Sequence, residues 1–217
     1  MATAPLKTTN PERLTESLAE LGRAFYARGW VLGTSGNFSG VLSRQPLRLA
    51  VTSTGLDKGG LSPEHFVVVD EGGKVLEGKG RPSAEVALHI AVARATNAGA
   101  VLHTHSIWST IVSELGAPAK GVWITGYEML KGLSGIRTHE HREWLPVFEN
   151  SQDCDELALR ISAYLGSHPE CHGFLLHRHG MYTWGADLDE AKRHVEILEF
   201  LLEVFGRVHG AAKKNLE

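Results

Sequence analysis

The sequence predicts a single α/β domain, with a central mixed or antiparallel β-sheet flanked by helices. Three observations carry that expectation. Strand-type and helix-type runs are interspersed along the chain. The early strand runs are joined by short turns, at Gln45-Pro46 and at Asp70-Glu71-Gly72-Gly73, which makes antiparallel hairpins. A length of 217 residues suffices for one domain with a substantial core. The domain is expected over residues 11–209, between a flexible N-terminus (1–10) and a flexible C-terminal tail (210–217).

Composition narrows the function. A net charge of −3 gives no general electrostatic affinity for nucleic acid, so no nucleic-acid partner is expected. No apolar stretch has membrane-spanning length, and Met1 to Asn10 lacks the apolar core of a signal peptide. Cys154 and Cys171 sit in no metal-type spacing and form no disulfide framework. A cytoplasmic protein with no membrane partner is the expectation. The unusual count is 12 histidines, concentrated after residue 88, and histidine excess points to metal or acid–base chemistry.

The elements follow in order. Asn10 caps and Pro11 opens a first helix, with Leu14, Leu18, Leu21 and Phe25 on one stripe. Thr34 to Gly40 reads as a glycine- and hydroxyl-rich loop leading into a strand at Val41-Leu42-Ser43. A strand over Arg48–Thr52 delivers a second small polar loop, Ser53-Thr54-Gly55, with Lys58 just beyond. Loops of this kind present backbone N–H groups and hydroxyls to a phosphate, although each taken singly is also an ordinary turn. Ser62-Pro63-Glu64 opens a short helical turn, and Phe66–Val69 with Lys74–Glu77 makes a hairpin. A helix opens over Arg81–Glu85 and runs to about Thr96, with Glu85 in its first turn. A carboxylate there suits the helix dipole, and it could equally face a site as base or ligand.

Ala100-Val101-Leu102-His103-Thr104-His105-Ser106 is the organising stretch. On a strand, alternation points His103 and His105 the same way, so both can hold one metal ion. Two partly buried histidines ending a strand are the plainer reading of a motif this short. Ser106 then caps a helix through Ile107, Ile111 and Leu115. Val122-Trp123-Ile124 is a short strand leading to Glu128, either a surface carboxylate or a titratable group returning to the histidine layer. His139, Glu140 and His141 fall in a solvated loop. Trp144–Phe148 is a strand and Asp153–Leu165 an amphipathic helix. Phe174–His177 and Met181–Gly185 are strands broken at Arg178-His179-Gly180. His177 and His179 compete as a third ligand, and spacing does not separate them. Asp187 caps the last helix, with Glu190 at the capping-box position.

The set Gly36-Asn37-Phe38-Ser39, Thr52-Ser53-Thr54-Gly55, Pro82-Ser83-Ala84-Glu85, His103-Thr104-His105 and His179-Gly180 resembles the class II aldolase family, from about residue 12 to 208. That family comprises zinc-dependent sugar-phosphate aldolases, 4-epimerases and a dehydratase branch, and its fold also serves non-catalytic cytoskeletal adaptors of the adducin type. Gly126-Tyr127-Glu128-Met129-Leu130-Lys131-Gly132 looks like the dehydratase branch. The resemblance implies a class II aldolase-like fold and one zinc ion per subunit on His103, His105 and His179. It also implies a sugar-phosphate substrate held by Ser35, Gly36, Asn37, Ser53, Thr54, Gly55 and Ser83, to which the loop reading adds Lys58, and a homotetramer with sites near subunit interfaces. Ala84 departs from the aldolase pattern, which carries a second serine there. Aldolases use the position of Glu85 as acid–base and the dehydratase branch that of Glu128. Both carboxylates are present, and Glu128, with a pKa raised by burial, is the one expected to move the proton, leaving Glu85 as a substrate-hydroxyl or outer contact.

Overall fold

The computed structural model describes residues 10–214, with side chains described to 210. The expected flexible N-terminus thus lies, apart from Asn10, outside the described residues. Asn10 accepts a hydrogen bond from the Glu12 N–H at 2.9 Å and starts helix α1 (Pro11–Ala27). The predicted stripe of Leu14, Leu18, Leu21 and Phe25 is the face α1 buries.

Among the described residues nine strands form one sheet: β1 (Asn37–Arg44), β2 (Leu47–Thr52), β3 (Phe66–Asp70), β4 (Val75–Glu77), β5 (Ala100–Thr104), β6 (Gly121–Thr125), β7 (Arg142–Phe148), β8 (Gly173–Leu176) and β9 (Gly180–Gly185). Their spatial order is β4-β3-β2-β1-β5-β9-β8-β7-β6. Every described pairing is antiparallel except β7 with β8, so the sheet is mixed, as expected.

Helices cover both faces. Helices α2 (Val86–Ala95) and α4 (Cys154–Ser167) pack Leu88, Val92, Leu157 and Ile161 against Val51, Val101, Phe174 and Tyr182. On the other face α1, α3 (Ile107–Gly116) and α5 (Leu188–Lys214) pack Leu18, Val112 and Leu198 against Phe38, Leu102 and Met181. Strand alternation sorts the residues: Val101 and His103 belong to the α2/α4 face, whereas Leu102 and Thr104 look toward α5.

Several boundaries move. Strand β1 begins at Asn37, inside the stretch read as loop, because residues 37–40 pair with β5, Asn37 opposite His103. That pairing is non-local and leaves no mark on local composition. Glu85 stands at the N-cap position of α2 rather than in its first turn, without capping through its side chain. Strand β7 starts at Arg142 and so includes Glu143. Helix α5 continues past residue 209 to Lys214, into the segment expected to be a flexible tail, while 215–217 lie outside the described residues.

Candidate metal centre and adjoining cavities

At the end of β5 the chain turns two imidazoles to the same side. The Nε2 atoms of His103 and His105 lie 2.8 Å apart, and His179 brings its own Nε2 to 3.4 Å from that of His103. His179 comes from the tight β8–β9 hairpin, where Gly180 lies against β5. A Cβ at Gly180 would fall 2.1 Å from the Thr104 carbonyl oxygen, so only glycine allows β9 to sit this close. The rival His177 turns to Glu149, with its Nδ1 3.1 Å from Oε2. Geometry therefore selects His179.

Two of the three outer nitrogens are tied off. His103 Nδ1 donates to the Met181 carbonyl at 2.9 Å and His179 Nδ1 to Asn150 Oδ1 at 3.2 Å, leaving the Nε2 lone pairs turned inward. The His103 ring stacks on Tyr182 at 3.9 Å, which fixes its plane. Glu85 closes the group, with Oε1 3.5 Å from His103 Nε2 and 3.4 Å from His179 Nε2. These four residues offer ligand atoms within 4.8 Å of one another. Converging nitrogen lone pairs repel unless a cation lies between them, so this donor set fits a metal ion.

The electrostatics agree. Burial, then the neighbouring imidazoles His103 and His179, lowers His105 to about 2, and burial then His103 lowers His179 to about 4. Neutral imidazoles are the ligating form. Burial pushes the Glu85 carboxyl up, but His103, His179 and the Asn37 hydrogen bond outweigh it and hold it below the usual carboxylate range. Asn37 Nδ2 donates to Glu85 Oε2 at 2.7 Å, and Asn37 Oδ1 accepts from His89 Nε2. His89 Nδ1 in turn accepts from Ser39 Oγ at 2.8 Å. Fully buried, His89 is lowered to about 3 and stays neutral. This relay escaped the sequence reading. The available signal was His89 four residues after Glu85, hence on the same helical face.

Beside the histidines lies a cavity of 190 Å³ lined by Ser35, Gly36, Asn37, Ser53, Thr54, Gly55, Lys58 and Ser83, together with Glu85 and His105. All eight residues expected to hold phosphate are brought together. Gly36, at φ +74°, passes so close to β5 that a Cβ would sit 2.8 Å from the His103 carbonyl oxygen. Lys58 is almost fully buried, with its Nζ donating to the Leu56 and Thr34 carbonyls at 2.8 and 3.0 Å. Burial outweighs the Asp57 charge and lowers its ammonium to about 8. A second cavity, of 260 Å³, shares Ser83 and Glu85 with the first but lies on the His179 side, over Leu88, Leu157 and Leu176.

Glu128 does not join this centre within its own chain. It opens a short 3-10 turn (Glu128–Gly132) with its side chain 71% exposed, 2.5 Å from Lys131 Nζ and 3.8 Å from His139 Nδ1. The Lys131 hydrogen bond and charge lower its carboxyl. The expected burial-raised pKa is therefore corrected for the single chain.

Residues 16–205 match the Class II Aldolase and Adducin N-terminal domain. A methylthioribulose-1-phosphate dehydratase from Methylococcus capsulatus is 45% identical over 94% of this chain and 98% of its own. One from Pseudomonas aeruginosa is 42% identical over 89% of this chain and 94% of its own. The structure of YgbL from Escherichia coli superposes with a TM-score of 0.74 at 28% identity, covering 89% of this chain and 88% of that one. The L-fuculose-1-phosphate aldolase of Thermus thermophilus shares the fold, with a TM-score of 0.73 at 24% identity over 94% of this chain and 99% of its own.

Proposed function

The chain belongs to the class II aldolase and adducin family, and from that premise we propose that it dehydrates 5-methylthioribulose 1-phosphate to 5-methylthio-2,3-dioxopentyl phosphate, a step of methionine salvage. The observation that carries this reading is the junction of three inward-facing imidazoles with a lysine-bearing polar cavity, which suits a phosphorylated ketose. Relatives at 42–45% identity bear the dehydratase name.

Three imidazoles turned to one point, with room for further ligands, suit a catalytic zinc ion, one per subunit. When bound, that ion supplies Lewis acidity to the substrate's C2 ketone and acidifies the C3 proton. The chain's own residues do the rest. Lys58 and the 35–37 and 53–55 loops hold the phosphate and so fix the C2–C3 segment at the imidazoles. Glu85, kept as a carboxylate, accepts from a substrate hydroxyl. A base takes the C3 proton, the same group protonates the C4 hydroxyl as it leaves as water, and the enol settles to the diketone.

Glu128 is our candidate for that acid–base group, reaching the site of a neighbouring subunit in a homotetramer. Its exposure near the edge strand β6, beside the exposed Trp123 and Met129, supports a role outside its own chain. The alternative is an aldolase or 4-epimerase with Glu85 as acid–base, favoured by the placement of Glu85 inside the cluster. A cytoplasmic location accords with two free cysteines.

Incubating the zinc-loaded protein with candidate ketose phosphates separates the readings: a diketone marks dehydration, carbon–carbon cleavage an aldolase, inversion an epimerase. Glu128→Ala is expected to keep its metal and lose roughly 10²–10⁴-fold in dehydration. Mixed oligomers of the Glu128→Ala and His103→Ala chains, each inactive alone, are expected to regain activity. Failure to regain it would sink the cross-subunit assignment, and full activity of Glu128→Ala would sink Glu128 altogether.

A further inference from the structure

Four polar side chains form one line behind the histidine cluster, and the proposed reaction makes no use of its far end. Asn37 and Ser39 stand two apart on β1 and point to one side of the sheet. Glu85 and His89 stand four apart at the start of α2, on one face of that helix. The contacts run from Glu85 to Asn37, then His89, then Ser39. Asn37, His89 and Ser39 are buried, the last two completely, so each depends on its neighbours in the line for hydrogen bonds.

The direction of every bond follows from the carboxylate. A carboxylate accepts and does not donate, so Asn37 turns its amide N–H to Glu85 Oε2, at 2.7 Å. Asn37 Oδ1 then faces His89, which must offer an N–H at Nε2. His89 Nδ1 is left as an acceptor, and Ser39 Oγ donates to it at 2.8 Å. From the other end, Ser39 fixes the tautomer of His89, His89 fixes which way round the Asn37 amide lies, and Asn37 engages Oε2 of Glu85. The second oxygen, Oε1, is thereby left for the cluster, 3.5 Å from His103 Nε2 and 3.4 Å from His179 Nε2. The His89 ring packs edge-on against Tyr182, with centroids 5.6 Å apart, and Tyr182 stacks on His103.

We infer that His89 is a positioning residue for the metal centre, setting through Asn37 which oxygen of Glu85 is presented to the three imidazoles. An apolar side chain at 89 would fill the helix–sheet contact without the cost of burying an imidazole. It would also release the Asn37 amide, which could then turn its oxygen on the carboxylate and repel it. The inference goes beyond the dehydratase reading, because Glu85 needs the same placement as a substrate-hydroxyl contact or as an acid–base.

Zinc affinity, measured by competition with a chromophoric chelator, reads the effect whatever reaction the ion serves. His89→Leu is expected to weaken zinc binding about tenfold, the scale of outer partners in metal sites. His89→Gln can place an amide N–H where Nε2 stood, and should bind zinc within about threefold of the unmutated protein. Ser39→Ala removes only a hydroxyl and should cost about threefold, which keeps the inference testable if His89→Leu does not fold. The deciding arm is the Glu85→Ala background. There the line has no carboxylate to place, so His89→Leu and Ser39→Ala should each cost less than about twofold further. Equal losses with and without Glu85 would show that His89 only packs the core, and would overturn the inference. Unchanged affinity in the folded variants, or a glutamine no better than leucine, would overturn it too. Failure of the unmutated zinc-loaded protein to form the diketone would overturn the dehydratase reading and leave this result standing.

Discussion

Two of the histidine and carboxylate clusters among the described residues use nearly the same side chains, and the first is the one whose ligand atoms could hold a metal ion. In the first, His103, His105 and His179 turn their Nε2 atoms toward one point, with Glu85 beside them. In the second, the carboxylate of Glu143 is 3% exposed and contacts His141 Nε2 at 2.8 Å and His172 Nδ1 at 3.1 Å. There the imidazole nitrogens of His172 and His194 are each paired with a carboxylate, carbonyl or N–H rather than with one another: His172 Nε2 donates to the Ser134 carbonyl at 2.9 Å, and the Ser134 N–H donates to His194 Nε2 at 3.0 Å. His194 Nδ1 donates to the Trp184 carbonyl at 2.7 Å. Residue types are nearly the same in both places. What differs is the accounting of lone pairs, left facing one another in the first cluster and consumed one by one in the second. The second cluster is a brace tying the 133–136 turn to β7, β9 and α5.

The sharpest test of that contrast is metal content. His103→Ala and His105→Ala are expected to purify with bound metal reduced to about a tenth or less, whereas His141→Ala and His172→Gln keep it. Elemental analysis decides, and metal lost from His172→Gln would erase the distinction between the clusters.

A smaller effect concerns the cation next to the first cluster. Lys58 has its ammonium lowered to about 8, so its positive charge is present below that pH and lost above it. Inorganic phosphate binding, followed by calorimetry, should hold steady up to about pH 8 and weaken as the pH rises further. Lys58→Ala should weaken binding roughly 10–100-fold and flatten that pH dependence.

The smallest effect belongs to the brace. Burial lowers His172, but the hydrogen bond and charge of Glu143 outweigh it, so the folded pKa stands above the ordinary imidazole value of about 6.5. The stabilisation is then fully present below pH 6.5 and fades as the pH climbs through the raised value. His172→Gln should cost about 1–3 kcal/mol at low pH and less at high pH, measured as denaturation midpoints. A gap that widens with pH would contradict the ion-pair account.

Much of the site was legible because its signals are local. Period two on a strand aligned His103 with His105, small polar loops at neighbouring strand ends marked residues 35–37, 53–55 and Lys58 of the cavity, and Ser83 came from resemblance. The choice of His179 over His177 came from resemblance, and the structure supplies the reason in the close packing of Gly180 on β5. What stayed hidden depends on long-range pairing. Asn37 belongs to a strand only because β5 lies beside it. Glu143 carries no local mark of burial; it is held in place by His141 and by His172, which stands 29 residues further along the chain. The cavity on the His179 side draws on α2, α4 and β8, which no sequence window contains together.

Strands β5 and β9 are neighbours in the sheet although a long stretch of chain separates them. Of this ligand set, an unfolded chain keeps only His103 and His105 close together, and the full set exists only in the native arrangement. Ion binding is in consequence coupled to folding by mass action. Each tenfold rise of free metal above the dissociation constant adds about 1.4 kcal/mol to the native state. An ion held at this cluster would make free metal concentration a variable of native-state stability, and chelation would lower that stability without touching a single core contact.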